Sequence, residues 1–267
     1  MHTLLVISTA WRWNLPGLVC CGALLALYAS LAGFHPSRPL AWFLTGDVLL
    51  AAVVCSPLDL LAEKYLLTAE AVEQVLIGLV LTYLLVLGTP EKAIRRLHFD
   101  QFRVSYYFGW VTGMIAVSIW YLPNLFNAAL DSETVRCMEY VTLVLGGVAF
   151  WYPLHSPLPE QRIPMVPHAL LYLAAATIWC SLVGILLAFS HSASSLHTHA
   201  PDTLGIADSL LNDWSFSRET DQETAGLLFW ISSATVLLTE VMFTYYRWYN
   251  SPEVRNESPS GKELGQS

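Results

Sequence analysis

Glu70, Glu73 and Gln74 open an otherwise apolar run, "TAEAVEQVLIGLVLTYLLVLGTP" (residues 68–90). Spacings of three and four place them on one face of a helix. Arg136, Glu139 and Tyr140 stand at the head of a second apolar run, Asp221 and Gln222 at the head of a third, and Tyr121 at the end of a fourth. Carboxylates among apolar residues have a short list of uses: they hold protons, take a hard cation, or pair with a guanidinium. Two plainer readings stand beside these. Acids near a helix N-terminus are stabilised by the macrodipole, and Arg136 can pair with Glu139 one turn later. Asp47 and Glu240 are further acids inside apolar runs. An interhelical hydrogen bond would satisfy Asp47, and Glu240 can reach toward the surface or meet Arg247.

Other constellations are thin. His197-Thr198-His199 offers two imidazoles to a borderline metal such as Cu(II) or Zn(II), or is a solvated loop. The remaining histidines and the methionines are scattered. Cys20, Cys21, Cys55, Cys137 and Cys180 lie in apolar stretches without a C-x-x-C pair and read as small buried hydrophobes. There is no glycine-rich phosphate loop and no Ser/His/Asp elbow, so the sequence does not read as an enzyme.

Positioning such groups takes membrane helices. Of 267 residues, 55% are hydrophobic and only 13% charged, against about 25% charged in an ordinary soluble domain. Mean hydropathy is +0.49. The net charge of −8, with no basic stripe, excludes nucleic acid as a partner. A helix needs about 20 apolar residues to span a bilayer. The pattern predicts an all-α, polytopic membrane protein of seven spans, near 16–33, 40–57, 70–89, 105–127, 135–153, 166–189 and 224–247.

Residues 1–250 form the membrane domain, with a long loop at about 190–223. Residues 251–267 form a polar tail expected to be disordered. With seven spans, Arg38, Lys92, Arg95, Arg96, Arg103, Arg162, Arg247, Arg255 and Lys262 share one face. Arg12, Lys64, Arg136 and Arg218 share the other. The positive-inside rule puts the N-terminus outside and the C-terminus inside. Glu70, Glu73, Gln74, Tyr121, Arg136, Glu139, Tyr140, Asp221 and Gln222 then gather in one outer vestibule.

The order of motifs carries a resemblance. Ser56-Pro57-Leu58 precedes the run ending Leu87-Gly88-Thr89-Pro90. Then come "WYLPNLFNAAL" (120–130), "VRCMEYVTLVLGGVAFWYPL" (135–154), "SLVG" (181–184) and "DQETAGLLFW" (221–230). The chain resembles the CtaG-type cytochrome c oxidase assembly factors from about Trp11 to Trp248. The resemblance implies a seven-helix fold in a bacterial inner membrane. It also implies a part in assembling haem-copper oxidases, or in delivering their copper, with oxidase subunits as partners. Family histidines, the plausible copper ligands, match Glu70, Gln74, Tyr121, Arg136 and Tyr140 here, while Glu139 matches a family glutamate. Copper thus remains a possible cofactor, with Glu70, Glu139, His197 and His199 as its candidate ligands. Cu(I) favours thiolate, thioether or imidazole over carboxylate and phenol. The competing readings are a metal-free scaffold or accessory subunit of a respiratory complex, and a proton or cation pathway.

Overall fold

The computed structural model describes residues 11, 15–96, 105–163, 165–189 and 217–250, and every regular element among them is a helix. The first two helices, α1 (Leu15–Ala32) and α2 (Arg38–Cys55), flank a tight joint. Gly33 ends α1 with φ +75°, a conformation that costs glycine nothing. The Ser37 side chain accepts from the Leu40 N–H, and Pro39 occupies the first turn of α2, where no donor is needed. Ser56 then ends α2 and caps α3 (Pro57–Lys64) through the Leu58 N–H.

The central element is α4 (Leu67–Gly88), whose middle, Leu76–Leu81, is π-helical. Beyond it lie α5 (Glu91–Arg96), α6 (Tyr106–Ile119), α7 (Pro123–Asp131), α8 (Glu133–His155), α9 (Val166–Phe189) and α10 (Arg218–Tyr249). Within its spanning window α4 is 67% buried, against 28% for α10. It packs against α2, α3, α8 and α10, while α8 also covers α6 and α9 pairs with α10. Small residues permit the closest approaches. A Cβ on Gly147 of α8 would stand 2.2 Å from the Gly78 carbonyl of α4. Large apolar side chains such as Leu145, Leu171, Leu186 and Met242 remain exposed, as lipid-facing surface requires.

Among the described residues five helices, α2, α4, α8, α9 and α10, are long and apolar enough to cross a membrane. The expected single span at 105–127 is instead α6 and α7, bent by 67°, and counting the pair as one span makes six. The bend follows from Leu122-Pro123: a residue before proline is driven from the helical region, and Leu122 takes φ −71°, ψ 127°. The apolar stretch of α1 is described over Gly17–Ala32. At 1.5 Å per residue it rises about 24 Å, short of the ~30 Å hydrocarbon layer. The long loop's described residues begin again only at Ser217, so most of it, and the 251–267 tail, lie outside the described residues.

Candidate functional site

Arg136 of α8 is the centre of a buried ionic network. Its Nη1 lies 2.8 Å from Glu70 Oε2 and its Nη2 2.9 Å from Glu73 Oε2. Its Nε donates to Tyr140 Oη at 3.1 Å, and the guanidinium lies 5.2 Å from that ring's centroid. One planar fork thereby addresses three partners, a geometry an ammonium group lacks. Tyr140 Oη also stands 2.9 Å from Glu73 Oε1 and 2.8 Å from Asp59 Oδ1, which ties in α3. Gln74 Nε2 donates to Glu70 Oε1 at 3.1 Å and to Glu139 Oε1 at 2.9 Å. Glu139 Oε2 is more loosely held, 3.6 Å from Arg136 Nη1. Glu70, Glu73 and Gln74 are each 1% exposed and Arg136 8%.

The i, i+3, i+4 spacings on α4 and α8 deliver these side chains to one contact. The plain reading of Arg136 with Glu139 is the weakest of its carboxylate contacts; the shorter ones run between helices. The vestibule expectation is therefore corrected in one respect. The groups face one another in a closed interior, because charges taken out of water survive only when paired and hydrogen-bonded.

Three expected members make contacts of their own. Asp221 caps α4 from α10: its Oδ2 accepts from Leu67 N at 2.8 Å and its Oδ1 from Thr68 N at 3.0 Å. Leu66, at the N-cap position, has no side chain able to do this. Gln222 Nε2 donates to the Leu187 carbonyl at 2.9 Å, closing the last turn of α9. Tyr121 packs edge-on against Phe229, and its hydroxyl is buried without a hydrogen-bond partner. His197 and His199 lie outside the described residues.

Beyond the π segment sits a second, partly buried polar cluster around the buried Glu240. Tyr83 Oη donates to Glu240 Oε2 at 3.0 Å, and Thr244 Oγ1 to Glu240 Oε1 at 3.2 Å. His155 Nε2 is 3.1 Å from Glu240 Oε1 but out of line for a hydrogen bond. The sequence singled out Glu240 but offered Arg247 as its partner and counted His155 as scattered. Nearby, burial and then the charge of Arg247 press Arg162 below the usual guanidinium range. Asp47 departs from expectation: its Oδ1 is buried with no partner. The cysteines also divide. Cys21 and Cys180 are buried and Cys55 partly so, whereas Cys20 and Cys137 are exposed on the helix bundle.

Helices of this length and apolarity, closed over an internal ionic network, define a multi-pass helical membrane protein. The chain belongs to the cytochrome c oxidase caa3 assembly factor family, whose profile matches residues 23–251, from α1 through α10. No curated protein and no solved structure matches it. The copper implied by the earlier resemblance does not fit the network. Its donors are carboxylate, amide, phenol and guanidinium, which are hard or cationic, and the Arg136 fork already engages Glu70 and Glu73. Among the described residues no three His, Cys, Asp or Glu side chains are grouped to hold a metal ion.

Proposed function

We propose that this protein acts in the biogenesis of a haem-copper oxidase in a bacterial inner membrane, as a non-enzymatic scaffold. In this reading the Arg136 network locks α3, α4 and α8 together and is not a copper site. The observation that carries the proposal is the mutual engagement of Glu70, Glu73, Gln74, Arg136, Glu139 and Tyr140 at the place where the resemblance puts metal ligands. Family membership supports the oxidase as client.

A deletion strain tests it. Assembled oxidase should fall and should not recover when copper is added to the medium. Protein purified with and without reductant should carry no stoichiometric copper, and H197A/H199A should restore oxidase as well as the wild type. Normal oxidase in the deletion strain would refute the client. Stoichiometric copper lost in Glu70→Gln or Glu139→Gln would refute the metal-free scaffold.

We also read the topology as seven spans, with α1 as the first, the α6–α7 pair as one, the N-terminus outside and the C-terminus inside. The loop charges support this. A cation pathway has less support. Between the two polar clusters α4 buries Ile77, Leu79 and Leu81, each 1% exposed.

A further inference from the structure

We infer that Glu70 and Glu139 hold one proton between them, so that the pair is a proton-binding site inside the membrane domain. The two carboxyls are clamped by the same two nitrogens. Gln74 Nε2 spends both of its hydrogens on them, one on each Oε1. Arg136 Nη1 lies on the other side, 2.8 Å from Glu70 Oε2 and 3.6 Å from Glu139 Oε2. Held this way, the two carboxyls are drawn together on the same pair of nitrogens. Two ionised carboxylates can only accept hydrogen bonds, whereas one that carries a proton can donate to the other, so a single proton stabilises the pair. The charges agree. Glu70, Glu73 and Glu139 face the single guanidinium of Arg136 in a closed apolar setting, where like charges at contact do not all ionise.

The proton belongs to Glu139. Glu70 takes the short guanidinium contact that favours a carboxylate, whereas Glu139 Oε2 stands beyond hydrogen-bond distance of that nitrogen and is free to donate to Glu70. The surrounding titratable groups are named by element: Asp59 on α3, Glu73 on α4, Arg136 and Tyr140 on α8, Tyr121 at the α6–α7 bend and Cys180 on α9. Gln74 Oε1 and Tyr121 Oη are both buried without partners. The pair therefore borders atoms that still have hydrogen bonds to accept and to give.

Infrared difference spectroscopy on the purified full-length protein in lipid nanodiscs reads this directly. At neutral pH the wild type should show a carboxylic-acid carbonyl band that shifts in deuterium oxide. Glu139→Gln should remove one acid's intensity while keeping the fold, because its amide N–H replaces the shared proton. Glu219→Gln, at an exposed site, should remove none. If Glu139→Gln does not fold, Glu70→Gln tests the same point: the Glu139 acid band should move once its acceptor is an amide. An acid band unchanged in the pair variants would overturn the proposal. So would its absence from the wild type, or its loss when sodium replaces choline in the buffer, since the occupant would then be a metal cation.

Discussion

Arg136 satisfies Glu70, Glu73 and Tyr140 at once, so its loss strands more than one buried group. Arg136→Met should lower stability by about 3–5 kcal/mol, the cost of breaking a buried ion pair from one side, measured as thermal unfolding in detergent. Arg136→Lys should recover only part of this, because an ammonium cannot reach three partners in one plane. Asp221→Ala is a milder case. It uncovers two N–H groups at the head of α4 and should cost about 1 kcal/mol, as a lost helix cap does. At this scale the sequence was half legible. Helical spacing exposed the acids on α4 and their partners on α8. Asp59 was missed because the hydroxyl it meets lies 81 residues away. Asp221 was misassigned because capping of another helix leaves no local signal. The His155–Glu240 contact was missed for the same reason.

The helices depend on backbones that touch. A Cβ at Gly147 would stand 2.2 Å from Gly78 O and 2.5 Å from Thr82 Oγ1, whereas one at Gly22 meets nothing within 4 Å. Gly147→Ala should therefore push α8 off α4 and depress the unfolding temperature by several degrees, roughly the effect of a 1–3 kcal/mol overpacking cost. Gly22→Ala should leave it unchanged. Equal effects of the two would show that the α4–α8 approach is not limiting. Five or six of the seven expected span positions were legible among the described residues, because long apolar runs between turn residues announce themselves. The α6–α7 bend had its marker in Leu122-Pro123, but the apolar run continued across it. The π-helical stretch Leu76–Leu81 had none, since Leu-Ile-Gly-Leu-Val-Leu reads alike in either helix.

For the whole molecule, the proposed orientation predicts that a fluorescent protein fused after Ser267 will fold and fluoresce in the cytoplasm. A periplasmic alkaline phosphatase at the same point should stay inactive. The reverse pair of results would invert the topology and place the Arg136 network at the inner end. Sequence alone gave the class of molecule, because composition and hydropathy are properties of the entire chain. It did not show that α4 stands at the centre, which depends on which neighbours cover it. Along α4 the π segment lies between the two polar clusters, and its i→i+5 bonding closes each ring over one residue more than an α-helix does. The segment is thus a place where the chain carries slack. Deleting Val80 should let that turn relax to α-helix and still yield monodisperse protein. Deleting Val72 should swing Glu70 away from Arg136 and abolish it. In lineage terms, Leu76–Leu81 is where α4 can change length without rewriting either end.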